Sequence, residues 1–124
     1  MKVQESRENY LEAIYVLSTQ QPVVRSIDVA NYLEFSKPSV SVAMSALRAA
    51  LLVSVDEGGH LLLTDAGRAL AEQVYDRHMT LTRALVALGV DEQVASDDAC
   101  RIEHVISQET FDKLKDFMRS LPPA

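Results

Sequence analysis

Apolar residues recur with a period of about 3.6 residues along most of this chain, which predicts a mainly α-helical protein. In the first half, the pattern predicts an amphipathic helix over residues 6–19 and a shorter one over residues 26–33. A third helix is predicted over residues 36–50, because Ser36 can cap it and Pro38 stands in its first turn.

A two-stranded ribbon is predicted to follow these helices. Apolar and β-branched residues over 52–55 and 60–64 flank the turn sequence Asp56-Glu57-Gly58-Gly59, which predicts a β-hairpin. Only Glu34-Phe35 separates the second and third helices, as in a helix-turn-helix. A helix-turn-helix followed by a hairpin is a winged helix, and the alternative is a small helical bundle with an incidental ribbon.

The second half of the chain is predicted to be helical as well. Thr64-Asp65-Ala66-Gly67 precedes a long helix that ends at Gly89. Residues 90–98 are acidic and show no clear period, so no element is predicted there. Two shorter helices are predicted over residues 99–107 and 109–121.

The length and composition are those of a globular protein, with 124 residues of which 48% are apolar. We predict a winged helix-turn-helix domain over residues 1–70 and an α-helical domain over residues 71–124. The single cysteine excludes an internal disulfide, and the N-terminus lacks an apolar signal-peptide core. No run approaches the roughly 18 apolar residues of a membrane span. We therefore expect a cytoplasmic protein with no membrane partner.

The formal net charge of −6 argues against binding to nucleic acid by bulk electrostatics. Acidic side chains outnumber basic ones within residues 1–70 as well. Any binding to DNA would therefore need focused contacts and an activating cation, because a carboxylate-rich site repels phosphates until a metal offsets part of its charge.

The segment Cys100-Arg101-Ile102-Glu103-His104 carries the most informative chemistry in the chain. Residues three and four apart are neighbours on a helix, so Cys100 would reach both Glu103 and His104. A thiol, a carboxylate and an imidazole on one helix face could hold a divalent cation. The alternative is that Cys100 is a small buried hydrophobe while Glu103 and His104 face solvent.

Four segments in this order carry a resemblance to a known family: Glu8-Asn9-Tyr10-Leu11-Glu12-Ala13-Ile14-Tyr15, Leu61-Leu62-Leu63-Thr64-Asp65-Ala66-Gly67, Arg77-His78 and Cys100-Arg101-Ile102-Glu103-His104-Val105-Ile106-Ser107. The chain resembles the diphtheria-toxin-repressor family of iron- or manganese-dependent transcriptional regulators. The resemblance implies a homodimer that binds double-stranded DNA at a palindromic operator, with a divalent cation as co-repressor. The helices over 71–124 would form both the dimer interface and the metal site. Larger members append an SH3-like domain, so the chain is expected to be a two-domain form or a truncation.

The resemblance also implies a set of metal ligands, namely Glu12, His78, Cys100, Glu103 and His104. Asn9 occupies a position that is Met in iron-responsive members and Asp in manganese-responsive ones, and it matches neither. An additional site of iron-responsive members is expected to be altered, because Thr82 and Ser96 stand in place of its ligands. His78 would then share the site of Glu12 and Glu103, and the alternative is a hydrogen-bonded helix histidine.

Ligand softness bears on the choice of metal. A thiolate from Cys100 favours Fe(II) over Mn(II), whereas the amide oxygen of Asn9 is a hard ligand that favours Mn(II). The expected cofactor is therefore Fe(II) or Mn(II), with Fe(II) preferred. Other divalent transition metals could bind in vitro, because raw affinity follows the Irving–Williams order.

The start of the third helix is the expected reading element for DNA. The residues predicted to contact DNA are Ser36, Lys37, Pro38, Ser39 and Ser41, with Arg25 and Arg48. The alternative is that Ser36 is only a cap and Lys37 is only solvated. Relatives usually have Gly at the position of Leu51, so either the helix continues through Leu51 or the turn there is strained.

These features together predict a metal-dependent repressor of metal-homeostasis genes that is not an enzyme. Cys100 and His104 could be interpreted as a nucleophile and its base, but no phosphate loop or oxyanion motif accompanies them. The alternative function is a winged-helix protein-interaction module without metal-regulated DNA binding, which the negative charge would favour.

Overall fold

The structure, a computed structural model, describes residues 3–121 and the side chains from Ser6 onward. Within these residues the elements are α1 (Val3–Gln20), α2 (Ser26–Leu33), α3 (Lys37–Ala49), β1 (Val53–Val55), β2 (Leu61–Leu63), α4 (Asp65–Ala87), α5 (Glu92–Ile102) and α6 (Gln108–Arg119). The predicted mainly α class with an N-terminal winged helix is confirmed. None of the described helices has both the length and the apolar character needed to cross a membrane.

The chain divides into two compact units, one reaching to Gln73 and the other starting at Val74. The core of the first unit lies among α1, α2, α3 and the hairpin, and its fully buried side chains include Leu11, Ile14, Val29 and Val40. The two strands are antiparallel, with Val53 opposite Leu63 and Val55 opposite Leu61. The N–H of Leu61 donates to the carbonyl of Val24 at 2.7 Å. This bond links the β1–β2 hairpin, which is the wing, to the loop before α2.

The junction between α3 and the wing is strained, which decides between the two alternatives for Leu51. Helix α3 ends at Ala49, and Leu51 takes the left-handed φ of 61°. Two backbone hydrogen bonds of 3.0 Å close the helix end. One runs from the Leu51 N–H to the Arg48 carbonyl, and the other from the Leu52 N–H to the Leu47 carbonyl. These bonds form a Schellman motif, in which glycine usually occupies the left-handed position.

We expect Leu51→Gly to increase the free energy of unfolding of the first unit by about 0.5–1 kcal/mol. The left-handed conformation costs an L-residue about 1–2 kcal/mol, and the extra freedom of glycine in the unfolded chain returns part of the gain. The Leu51 side chain is 75% exposed, so little burial is lost. Urea unfolding followed by circular dichroism measures the change.

Leu51→Ala is the matched control for this prediction, because alanine keeps the Cβ atom that makes the left-handed conformation costly. It should show no comparable gain. If alanine stabilised the unit as much as glycine, the exposed leucine side chain and not the backbone conformation would be the source of the effect.

Gly67 lets the start of α4 lie directly against the end of the α3–β1 junction. A Cβ atom at this position would stand 2.0 Å from the carbonyl oxygen of Leu52, which is far inside contact distance. The same carbonyl accepts the N–H of Thr64 at 3.1 Å, and the Thr64 hydroxyl donates to the carbonyl of Leu51 at 2.7 Å. The residues before α4 therefore anchor the strained turn.

The second unit corrects two expectations about the chain after Gly89. Residues 90–98 were expected to lack an element, but α5 begins at Glu92 because Asp91 caps it, accepting from the N–H of Gln93 at 3.1 Å. The helix predicted over residues 99–107 has the wrong bounds, because its residues 99–102 are the end of α5 and a turn follows Ile102. Ser107 caps α6 by accepting from the N–H of Thr110 at 3.1 Å.

Candidate metal centre

Three side chains of the second unit converge at one point. His78 projects from α4 and Cys100 from α5, and Glu103 is the residue directly after α5. One potential ligand atom from each lies within 4.8 Å of the other two. The His78 side chain is 18% exposed and that of Glu103 is 0% exposed, whereas Cys100 is open to solvent.

The end of α5 explains why these donors meet. Glu103 keeps helical dihedrals, with φ −58° and ψ −25°, and its N–H donates to the Ala99 carbonyl at 2.9 Å. The spacing of Cys100 and Glu103 on one helix face is thereby preserved. His104 lies in the turn, and its Nε2 approaches Glu103 Oε1 to 3.3 Å from there, not along the helix face that the sequence suggested.

The donor set fits a divalent metal ion. The buried Glu103 carboxylate accepts from His78 Nδ1 at 2.9 Å through Oε2. Its Oε1 has His104 Nε2 at 3.3 Å, but no contact with hydrogen-bond geometry from any residue that the structure describes. A buried carboxylate oxygen without such a bond is costly unless a cation or donor satisfies it. One imidazole, one thiol and one carboxylate are the ligand types that divalent transition metals take.

His78 holds a proton tightly in the metal-free site. Hydrogen bonds with Cys100 and Glu103 raise its pKa from 6.5 to about 10. The ring donates from Nδ1 to Glu103, and its Nε2 lies 3.5 Å from the Ser96 hydroxyl. A metal that binds the His78 ring must therefore displace a proton at neutral pH.

We expect metal affinity to rise with pH between about 6.5 and 10, by about tenfold per unit for each proton displaced. The folding stability of the metal-free chain depends on pH in the opposite direction. Because folding raises the pKa of His78, its stabilising effect is full below 6.5 and is lost as pH rises through about 10. Anaerobic chelator competition with Mn(II), paired with urea unfolding of the metal-free protein, measures both slopes.

An affinity independent of pH over that range would contradict a role for the His78 ring in metal binding. Calorimetry in two buffers of different ionisation enthalpy is an independent check, because it counts the protons released per bound ion.

The other predicted ligands lie in the first unit. Asn9 and Glu12 are three residues apart on α1, which puts them on the same helix face, and both are partly buried. Thr82 and Ser96, the positions for which the resemblance implied an altered additional site, both lie beside His78. The Thr82 hydroxyl donates to the His78 carbonyl at 2.7 Å.

The predicted DNA-contacting residues are all exposed, and they lie on or next to α2 and α3. Ser36 caps α3 by accepting from the N–H of Ser39 at 3.3 Å, so its capping function is real. Arg25 is held by the wing, because its Nη2 lies 3.2 Å from His60 Nε2. Asp56 in turn fixes the His60 ring, with Oδ2 at 3.0 Å from Nδ1.

Val42 is a surface residue of α3 that the sequence analysis missed. Its side chain is 72% exposed, although an apolar residue in a helix is first assigned to the core. Val40, Met44 and Leu47 are the buried face of α3. At about 100° per residue, Val42 stands about 200° from Val40, which was a usable signal for an outward position. Pro38 lies one turn earlier on the same outward side.

A winged helix joined to a helical unit with a metal-ligand cluster defines a class of metal-dependent transcription regulators. The comparisons with known proteins agree. The protein-family model described as "Iron dependent repressor, N-terminal DNA binding domain" matches residues 2–61. The model named "Iron dependent repressor, metal binding and dimerisation domain" matches residues 64–122. The chain belongs to the iron-dependent repressor family, so the resemblance to the diphtheria toxin repressor is confirmed.

Individual relatives cover nearly the whole chain. An uncharacterised HTH-type transcriptional regulator of Methanocaldococcus jannaschii is 32% identical over 92% of this chain and 93% of its own. The diphtheria toxin repressor of Corynebacterium efficiens is 36% identical over 89% of this chain and 48% of its own. The solved structure of the manganese regulator SloR has a TM-score of 0.82 at 28% identity, over 93% of this chain and 54% of its own.

The chain thus spans about half the length of that solved manganese regulator. Members of the family bind Fe(II) or Mn(II), bind operator DNA and dimerise through the C-terminal domain. The named relatives are a transcriptional regulator and a repressor.

Proposed function

We propose that this protein is a metal-activated repressor, with Fe(II) favoured over Mn(II) as co-repressor, and that it controls metal-homeostasis genes. The observation that carries the proposal is the cluster of His78, Cys100 and Glu103, in which a fully buried carboxylate keeps one oxygen without a hydrogen bond among the described residues. This cluster occurs in a chain whose first unit is a winged helix.

The proposed metal ligands are Glu12, His78, Cys100, Glu103 and His104, with Asn9 as a further oxygen donor. Three of them are supported by their mutual distances, and His104 by its 3.3 Å approach to Glu103. Glu12 and Asn9 are supported by the family resemblance and by their common face on α1. Residues 1–70 would be the DNA-binding domain and residues 71–124 the dimerisation and metal-binding domain.

The preference for Fe(II) follows from the exposed thiol of Cys100. Thiolate ligands favour Fe(II), Co(II) and Zn(II) over Mn(II), which binds best to oxygen donors. The cation supplies positive charge and links carboxylate, imidazole and thiolate donors. The net charge of −6 makes such a cation useful to a protein that must approach phosphates.

The proposed DNA-binding surface is the exposed side of α3 with its flanking arginines. Lys37, Ser39 and Ser41 can contact phosphates, and Arg25 and Arg48 extend this surface on either side. Pro38 and Val42 present apolar surface to the major groove, where the thymine methyl group is the matching apolar feature. A homodimer would place two such surfaces on a palindromic operator.

The test is fluorescence anisotropy of the protein on its own upstream DNA under anaerobic conditions, with Fe(II) and Mn(II) titrated separately at fixed salt. Binding that appears only with metal, and more readily with Fe(II), is the expected result. Val42→Asp separates the DNA-binding surface from the metal site, because it should weaken DNA binding without changing metal affinity. If neither metal changed DNA affinity at any salt concentration, the protein-interaction module would become the leading function.

A further inference from the structure

We propose that Arg77 is a positioning residue for the metal site, which it shapes by fixing the turn that carries Glu103 and His104. The proposal rests on the metal site proposed above. Arg77 stands next to His78 on α4, so adjacent residues would serve the site in different ways. His78 would contact the metal, and Arg77 would hold the backbone of two other ligands.

The Arg77 guanidinium spans the whole turn between α5 and α6. Its Nη1 donates to the carbonyl oxygens of Glu103 and Ile106, both at 3.2 Å. Its Nη2 donates to Oε1 of Gln108, the first residue of α6, at 2.8 Å. One side chain therefore contacts the start of the turn, its end and the helix that follows.

These carbonyls need an outside partner. The last carbonyls of a helix, and those of the turn after it, have no N–H four residues ahead in the same helix. The carbonyl of Ile102 accepts from the N–H of Val105 and of Ile106, both at 3.0 Å, but that bonding stops within the turn. Arg77 supplies the donors for Glu103 and Ile106, and so determines where the ligand-bearing backbone lies.

The guanidinium is itself fixed in place. It lies over the buried ring of Phe111, with Cζ 5.4 Å from the ring centroid. A planar fork with several N–H groups can reach two carbonyls and an amide at once, whereas a lysine ammonium is a point donor on a flexible stem. Arg77→Lys therefore keeps a cation near Phe111 but loses the fork.

Lys115 offers a matched control within the same unit. Its Nζ is 5.8 Å from the Phe111 ring centroid and forms an ion pair with Asp76 on α4, yet none of its described contacts is with the turn. Lys115→Met removes a cation from the same ring and a link between α4 and α6. If the role of Arg77 were only to stabilise this packing, both variants should affect the metal site alike.

The experiment is anaerobic Co(II) titration of the full chain, with affinity from chelator competition and geometry from absorption spectra. For Arg77→Lys we expect the thiolate-to-cobalt band to remain, the d–d bands to change, and affinity to fall by about 10–100-fold, as for other groups that orient metal ligands. For Lys115→Met we expect lower thermal stability with wild-type affinity and spectrum.

Wild-type affinity and d–d bands in Arg77→Lys would overturn the proposal, as would equal losses of affinity in both variants. If Arg77→Lys failed to fold, Gln108→Ala would replace it, because it removes one of the three acceptors of Arg77. Asp112→Ala would be its control, because Gln108→Ala also removes the bond from Gln108 Nε2 to Asp112. Gln108→Ala should lower affinity severalfold and change the d–d bands, and unchanged values would overturn the proposal. The absence of a thiolate-to-cobalt band in the wild type would instead contradict the proposed metal site.

Discussion

Glu103→Gln should abolish the response of DNA binding to metal. The substitution keeps the shape of a side chain that is 0% exposed, and its amide oxygen can still accept from the His78 ring. It removes the negative charge and one good metal donor. We expect metal affinity to fall by at least about 100-fold, since even the outer groups that support ligands contribute about 10–100-fold. DNA binding with metal should then match DNA binding without it.

Two measurements test this prediction together. Anisotropy on operator DNA reports the metal response, and thermal unfolding with and without metal reports binding to the folded chain, because a ligand that binds only the folded state raises the melting temperature. Glu92→Gln is the control, since it makes the same chemical change in the exposed first turn of α5. Retention of the metal response by Glu103→Gln, at wild-type metal concentrations, would remove Glu103 from the site.

Much of this site could be predicted from the spacing of donors. Cys100 and Glu103 meet because residues three apart share a helix face, and that rule holds although α5 ends at Ile102. The place of His104 could not be predicted in this way, because it depends on a turn. The start of the turn depends on Arg77, which is 26 residues from Glu103 in the chain. A long-range side-chain contact of this kind leaves no periodic signal.

The fold shows the same division between local and tertiary causes. The winged helix could be predicted because its caps and turn residues act on their nearest neighbours. The start of α5 had a local signal too, but the acidic run over 90–98 hid the capping role of Asp91. The sequence did not decide whether the turn at Leu51 is strained. The hydrogen bond from the Thr64 hydroxyl to the Leu51 carbonyl, which anchors this turn, joins residues on either side of the hairpin. The turn therefore depends on tertiary contacts as well as on local ones, namely the Thr64 bond to the Leu51 carbonyl and the close approach of Gly67 to Leu52.

Cys100→Glu should shift the preference of the site from Fe(II) towards Mn(II). The change replaces a soft thiolate with a hard carboxylate, and Mn(II) gains relative to Fe(II) when oxygen donors replace sulfur. Cys100 is exposed, so the longer side chain has room to adjust. We expect the ratio of Fe(II) to Mn(II) affinity to fall by at least about tenfold. Anaerobic competition titrations with each metal measure this ratio.

Cys100→Ser separates loss of the thiolate from gain of a carboxylate. Serine is close to cysteine in size but is a poor ligand at neutral pH, so affinity for both metals should fall while their ratio moves less than in Cys100→Glu. The thiolate-to-cobalt absorption should vanish in both variants. An unchanged Fe(II) to Mn(II) ratio in Cys100→Glu would mean that Cys100 does not determine the metal preference, which would then depend on the oxygen donors of Asn9, Glu12 and Glu103.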